Sequence, residues 1–148
     1  MMEETLHYLL MTNHLMFQKA LLTEIKDTGL TSGQPKVLDY LRNHDGAVQK
    51  EIAAVCNIEP ATLTSVLLGM EHKNLIVRKM LDGNRRSLYV YLTETGKALA
   101  ERVADEFVKI ETNAFSGFTD QEKEMFITFL SKVNKNMNHE GEDTNNKN

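Results

Sequence analysis

The stretch AVQKEIAAVCNIEPATLTSVLLGMEHKNLIVRKMLDGNRRSLYVYL, residues 47–92, decides the fold of this chain. In its first half the apolar residues recur at steps of three and four, which predicts two short helices beginning at Gln49 and Pro60. Proline suits the first turn of a helix, so the connecting turn falls at Asn57 and Ile58. Two helices joined by so short a turn form a helix-turn-helix arrangement.

The second of these helices, predicted to end near Lys73, has the character of a DNA-reading helix. Its inward side is apolar, and its first turns carry small outward side chains that fit a major groove about 12 Å wide. Hydroxyl groups there can meet base edges or phosphates, although many buried helix pairs share this pattern. The predicted inward residues of the helix pair are Ile52, Val55, Cys56, Leu63, Val66, Leu67 and Met70. The outward candidates for DNA contact are Ala61, Thr62, Thr64 and Ser65.

The second half of the stretch is predicted to form a basic β-hairpin. Strand-like runs at Leu75–Met80 and Ser87–Leu92 flank an Asp-Gly pair, which is a strong turn signal. Residues 71–86 hold five basic and two acidic side chains, a net +3, in a chain whose formal charge is −4. An isolated hairpin of this kind is a solvated, charged turn, but basic clustering directly after a helix-turn-helix predicts a nucleic-acid contact. The basic candidates are Lys73, Arg78, Lys79, Arg85 and Arg86.

Long amphipathic helices are predicted on both sides of this unit. They cover residues 3 to about 26, 94 to about 113, and a last helix that opens at the capping box Thr119–Glu122. A shorter helix opens at a similar box, Thr31–Gln34. The flanking helices either cover one face of the middle unit or pack on a second copy, and the prevalence of twofold dimers favours the second arrangement. The predicted dimerisation residues are Leu6, Leu10, Phe126, Phe129, Leu130 and Val133.

The chain is predicted to fold as a single domain over residues 1–137. In this prediction residues 30–93 form a DNA-binding lobe, and residues 3–28 and 94–137 form the dimerisation helices. Residues 138–148 contain no apolar side chain, which predicts a disordered tail.

Composition argues against several classes of protein. The pI of about 5.7 gives no global sign of nucleic-acid binding, but a local patch can override the net charge. The single cysteine, Cys56, excludes an internal disulfide and fits a reducing cytoplasm. No apolar run reaches the roughly 20 residues that span a bilayer, so a cytoplasmic protein without a membrane partner is expected. No phosphate loop or nucleophile–base pairing is present, so we expect no enzyme and no cofactor.

The chain resembles the MarR-type winged-helix transcriptional regulators over about residues 6–137. The resemblance is most specific at Leu75–Arg78, Asp82–Arg86 and Leu92–Gly96, where the family reads Gly-Leu-Val-x-Arg, Asp-x-Arg and Leu-Thr-x-x-Gly. It implies a mainly α fold with a small β-hairpin wing, that is, a winged helix-turn-helix with N- and C-terminal dimerisation helices.

The resemblance also implies a function, that of an effector-responsive, homodimeric repressor, or less often activator, of transcription. Such a dimer binds a pseudo-palindromic operator in double-stranded DNA. Gln49 and Lys50 map near phosphates, and Arg86 maps to the wing arginine that enters the minor groove. The residues that map to the recognition helix are Thr62, Thr64 and Ser65. The alternative is a winged-helix module for protein–protein contact that does not bind DNA.

Three positions depart from the family pattern. Asn74 replaces the usual Gly, although Asn is the next best residue for a left-handed helix cap. Asn84 replaces the wing Asp, so the salt bridge that would orient Arg86 is lost or becomes a neutral hydrogen bond. Val48 replaces the usual Thr or Ser, which leaves the first helix of the pair less well capped.

The first helix holds the candidates for effector binding. The resemblance implies a small phenolic or other lipophilic effector, for which Met11, His14 and Phe17 are the expected contacts. His7 and His14 lie seven residues apart, but without an accompanying carboxylate cluster they favour packing or an effector pocket over a metal site. Cys56 is interpreted as a core residue rather than a redox sensor, because a buried thiol usually acts as a small apolar core side chain.

Overall fold

The computed structural model describes residues 4–81 and 87–145, with side chains described as far as 138. The helices of the described chain are α1 (Leu6–Glu24), α2 (Gln34–Asn43), α3 (Gln49–Val55), α4 (Pro60–His72), α5 (Glu94–Ala114) and α6 (Asp120–Asn145). The strands are β1 (Ala47–Val48), β2 (Ile76–Lys79) and β3 (Tyr89–Leu92). The chain divides into two compact units, the first ending at Ile110 and the second beginning at Glu111.

The core of the first unit is formed by α2, α3, α4 and the sheet, together with Leu21 of α1 and with Ala100 and Val103 of α5. Its largest side chains have no solvent exposure, among them Leu38 and Leu41 of α2, Ile52 of α3 and Leu63 of α4. Burying a side chain of this size contributes roughly 1.5–3 kcal/mol relative to leaving it exposed. The helix pair is therefore held by apolar packing, which confirms the inward positions predicted for Ile52, Cys56, Leu63, Leu67 and Met70.

A small antiparallel sheet lies at the edge of this core, with strand order β1-β3-β2. The fully buried Val90 of β3 lies opposite Ala47 of β1 and Arg78 of β2. The hairpin strands are confirmed, but β1 was not predicted, because two residues are too few to show an alternating pattern.

Most predicted helix ends are confirmed by their hydrogen bonds. The Gly96 amide donates to the Thr93 hydroxyl over 3.0 Å, so Thr93 begins α5 as expected. Thr119 and Glu122 form both bonds of a capping box, at 3.1 and 2.9 Å. Asn74 has a positive φ of 58°, as its role as a left-handed cap requires.

Two predictions at helix ends differ from the structure. The capping box at Thr31 forms only in part, because α2 begins at Gln34. The Gln34 side-chain oxygen accepts from the Thr31 amide at 3.1 Å, but the Gln34 amide donates to the Thr31 carbonyl and not to the Thr31 hydroxyl. Val55, predicted to point inward, is 59% exposed. It is the last residue of α3, where the helix leaves the core before the turn at Asn57.

The last helix is longer than the sequence predicted. The tail was expected to begin at residue 138, yet α6 continues to Asn145. A polar segment can remain helical because the bonds of a helix are internal, and its one glycine, Gly141, costs only about 1 kcal/mol relative to alanine. Lack of apolar residues in a segment does not by itself show that the segment is unfolded.

The second unit presents an uncovered apolar surface. None of the described side chains of α6 is buried, and Phe126 and Phe129 are 46% and 56% exposed. Phe115, Phe118 and Phe126 form a small aromatic cluster with ring centroids 5.3–6.4 Å apart. Burial within this unit is therefore incomplete in the single chain.

No single helix in the described ranges is both long and apolar enough to cross a membrane. Only α3 and α4 taken together, bent by 112°, meet that test, and they do so by length and composition alone.

Candidate nucleic-acid interface

Helix α4 presents a polar outer face at its N-terminal end. Leu63, Leu67 and Met70 are fully buried on the opposite side of the helix. The small residues of α4 therefore lie on its outward side. The exposed residues are Ala61, Thr62, Thr64, Ser65 and Leu68. This sorting agrees with the outward positions predicted from the sequence.

An open groove of about 900 Å³ runs beside that face, between the start of α3, the start of α4 and the base of the hairpin. It brings together four of the predicted contact residues, namely Gln49, Lys50, Ala61 and Thr64. The sequence analysis missed Asn57, Glu59, Ser87 and Leu88, which also line the groove. Their position directly beside the turn and the strand end was the signal that could have identified them.

A chain of hydrogen bonds joins α3, α4 and β2 at this groove. The Gln49 amide nitrogen donates to the Thr64 hydroxyl over 3.2 Å, and the Gln49 amide oxygen accepts from the Arg78 guanidinium over 3.5 Å. Arg78 also forms an ion pair with Glu71, near the end of α4. The charge of Arg78 is therefore neutralised locally, which argues against its predicted role as a direct DNA contact.

Lys73 was predicted as a basic DNA contact, and the structure places its ammonium beside Gly29 and the start of α2. Its ammonium donates to the Gly29 carbonyl over 2.6 Å and to the Gln34 side-chain oxygen over 2.7 Å. It follows the C-terminal end of α4, about 20 Å along the axis from Pro60 at a rise of 1.5 Å per residue. Lys73 therefore fastens α4 to the start of α2.

Two of the remaining basic candidates, Lys50 and Lys79, are exposed side chains in the described part of the chain. Lys50 is exposed at the start of α3. Lys79 is exposed, with its ammonium 5.3 Å from the centroid of the Tyr91 ring. Arg85 and Arg86, together with Asn84, lie outside the described residues, so their predicted roles stay predictions.

A separate cavity of about 710 Å³ lies on the other side of α4, within the first unit. His14 and Phe17 line it as expected, and the Phe17 and Phe107 rings lie 5.8 Å apart there. Met11, predicted with them, does not line the cavity and is 63% exposed. Val66, predicted as a buried residue, is only half-buried and forms part of the wall. The other apolar wall residues are Leu10, Leu21, Leu22, Pro35 and Ile58.

Cys56 is buried, as predicted, and lies beside α2. Burial raises the pKa of its thiol, and the Lys36 charge opposes that rise only in part. The Cys56 carbonyl accepts from the Lys36 ammonium over 2.8 Å. A thiol with a raised pKa holds little thiolate near neutral pH, which favours a structural role.

The histidines of α1 have no set of metal ligands around them in the described chain. No three side chains of His, Cys, Asp or Glu come together there as a metal site would require.

The fold and the groove together define a winged helix-turn-helix protein. A family profile described as "MarR family" matches residues 30–88. Three relatives from Bacillus subtilis (strain 168) are similar over longer ranges. The HTH-type transcriptional regulator YybA is 28% identical over 119 residues, which are 80% of this chain and 79% of YybA. The regulator YwoH is 30% identical over 103 residues, 70% of this chain and 74% of YwoH. The HTH-type transcriptional repressor YetL is 29% identical over 109 residues, 71% of this chain and 64% of YetL.

A solved structure agrees with these relatives. The crystal structure of a MepR–DNA complex from S. aureus superposes with a TM-score of 0.82 and 29% identity, covering 91% of this chain and 99% of that one. The chain belongs to the MarR family of transcriptional regulators.

Proposed function

We propose that this protein is a homodimeric repressor that binds a pseudo-palindromic operator in double-stranded DNA and responds to a small effector. The observation that carries this is the exposed polar face of α4 beside a groove that also holds Gln49 and Lys50. A helix of this kind can enter the major groove, where base edges differ in their pattern of donors and acceptors. Repression and DNA binding are supported by the similarity to the transcriptional repressor YetL and to MepR, which was solved in complex with DNA.

Dimerisation is supported by the apolar side chains that α1 and α6 each leave uncovered. Leu6 and Leu10 are 56% and 37% exposed on α1, and Phe129 and Leu130 are 56% and 36% exposed on α6. Large exposed apolar surfaces on soluble proteins mark interfaces. A twofold dimer would place two recognition helices on half-sites about 34 Å apart.

Effector binding is supported by the cavity between α1 and α4. Its wall is mainly apolar, and its ionisable side chains are the basic His14 and Lys36 and the acidic Glu59. A small phenolic or lipophilic anion fits this chemistry. Because Thr62 and Val66 of α4 belong to the wall, an occupant would shift the helix that reads DNA.

Membership of a family of transcriptional regulators argues for a cytoplasmic binding protein rather than an enzyme. The groove and the cavity contain no pairing of nucleophile and base among the described residues that line them. The alternative, a winged-helix module for protein contact alone, predicts no affinity for DNA.

A titration of the purified protein with DNA from its own upstream region, repeated at several salt concentrations, tests the proposal. We expect binding to weaken steeply as salt rises, because phosphate contacts release counterions. Arg86→Ala should weaken specific binding by about 1–3 kcal/mol if its side chain enters a groove. Candidate phenolic acids, added one at a time, should release the DNA. Absent or salt-insensitive binding would favour the protein-contact module.

A further inference from the structure

Thr64 lies at the end of a line of polar side chains that begins at Glu71. Glu71 pairs with Arg78, Arg78 donates to Gln49, and Gln49 donates to Thr64. The Thr64 hydroxyl in turn donates to the carbonyl of Pro60, one turn earlier in α4, over 3.0 Å. This line runs from β2 through α3 to the exposed face of α4, and Gln49, Thr64 and Pro60 belong to the wall of the groove.

The direction of every bond in this line is determined by its charged end. A guanidinium has donors and no acceptor, so the Gln49 oxygen must face Arg78 and its NH₂ group must face Thr64. The Thr64 oxygen therefore accepts from Gln49, and its own proton is left for the Pro60 carbonyl. Hydrogen bonds aligned in one direction polarise one another, which reinforces this arrangement.

We infer that Arg78 is a positioning residue which, through Gln49, restricts how Thr64 reads a base. The inference rests on the proposed DNA-binding function. With its proton committed, Thr64 offers DNA only an oxygen lone pair and a methyl group. Adenine N6 and cytosine N4 can donate to that oxygen, and the thymine methyl can pack on the threonine methyl. Guanine presents only acceptors, N7 and O6, in the major groove and is therefore disfavoured at the position that Thr64 faces.

The surroundings of Arg78 support positioning over direct contact with a phosphate. Its side chain is 18% exposed and its Nε–H is engaged by the Glu71 carboxylate. Gln49 is restricted in the same way, because one lone pair of its oxygen and one of its N–H groups are already engaged within the protein.

Two neighbouring hydroxyls provide an internal comparison. Thr62 and Ser65 are exposed on the same helix and form no side-chain hydrogen bond within the described residues. They can donate or accept, so the bias against guanine is specific to the base that Thr64 faces.

Selection of bound sequences from an operator library with randomised half-sites tests this inference. Thr64→Val and Thr64→Ser identify the position that Thr64 reads, because the first removes the acceptor and the second removes the methyl group. At that position we expect Arg78→Met and Gln49→Ala to raise the share of guanine about fivefold or more, the range of a single base-pair mismatch. The base preferences at the other positions of the operator should stay unchanged. Gln49→Ala leaves the Glu71–Arg78 ion pair in place, so this variant still tests the base preference at Thr64 even if Arg78→Met folds poorly.

Arg42→Met is the matched control, because Arg42 also pairs with a glutamate, Glu101 at 3.5 Å, but lies on α2. It should leave the base profile unchanged. We expect Arg78→Met to have the same salt dependence as this control.

Three outcomes would overturn the inference while leaving the DNA-binding proposal in place. The first is a guanine share that is unchanged in both Arg78→Met and Gln49→Ala. The second is a salt slope lowered by about 1 in Arg78→Met relative to Arg42→Met, as expected for a lost phosphate contact. The third is a base profile that neither Thr64 variant changes. If the unaltered protein selects no sequence at all, the proposed function fails together with the inference.

Discussion

Gly96 of α5 lies so close to the carbonyl oxygen of Leu75 that a Cβ added to the glycine would be 2.0 Å from that oxygen. The same carbonyl accepts the Thr93 amide over 3.0 Å, and the Thr93 hydroxyl donates to the Asn74 carbonyl over 2.8 Å. The first turn of α5 is thus fastened to the backbone that leads from α4 into β2. Any side chain at residue 96 would separate the two segments.

Gly96→Ala should therefore destabilise the protein by about 3 kcal/mol or more, since backbone atoms cannot yield as a flexible side chain can. Urea unfolding followed by circular dichroism measures this. Gly117→Ala is the control, because a Cβ there meets no atom within 4 Å and only the positive φ of 84° opposes it. That strain costs about 1 kcal/mol. Equal effects of the two substitutions would contradict the close approach.

Lys73→Met should reduce stability by about 1 kcal/mol, because it removes a charged donor from the Gly29 carbonyl and the buried Gln34 side chain. The salt dependence of DNA binding should stay unchanged. Lys50→Met, at the groove, is the comparison and should lower the salt slope by about 1 with little loss of stability. A reversed pattern would return Lys73 to the DNA interface.

Arg102 forms a two-bond ion pair with Asp27, at 2.6 and 2.7 Å, and the hydrogen bonds from Arg102 hold the pKa of that carboxyl below its ordinary value of 3.8. A carboxyl whose pKa is lowered by folding stabilises the protein above its unfolded pKa, and this contribution is lost as pH falls through the folded value. Arg102→Gln should therefore lower the melting temperature near neutral pH, and the difference from the unaltered protein should shrink below about pH 4. Lys26→Gln, nearby and without an ion pair in the described chain, is the control. A difference that does not depend on pH would exclude this ion pair as the cause.

Phe129→Asp should convert the protein into a monomer, because it places a charge among the exposed apolar side chains of α6. Sedimentation equilibrium measures the mass of the variant. Its affinity for the operator should also fall, since a monomer spans only one half-site. Asn136→Asp changes an exposed polar residue of the same helix and should remain dimeric. A dimeric Phe129→Asp variant would place the interface elsewhere.

The amino-acid sequence by itself determined the inner and outer faces of the helix pair. Pro60 marks the start of α4, and the spacing of Leu63, Leu67 and Met70 sets which side is buried. Caps such as Thr93 and Thr119 were likewise predictable, because their hydrogen bonds join residues three apart. These features depend on neighbours along the chain, where the geometry of a helix leaves few choices.

Only the tertiary structure decided which polar and charged side chains remain available to a ligand. Lys73 is engaged by Gly29, 44 residues away, and the Arg78 guanidinium reaches Gln49, 29 residues away. The cavity wall is completed by Phe107 from α5 rather than by the nearby Met11. No local pattern encodes these partners, because they are brought together by the packing of elements distant in the chain. The sequence therefore predicted the outward face of α4, and only the folded structure decided that Arg78 is paired with Glu71 and Gln49 beside that face.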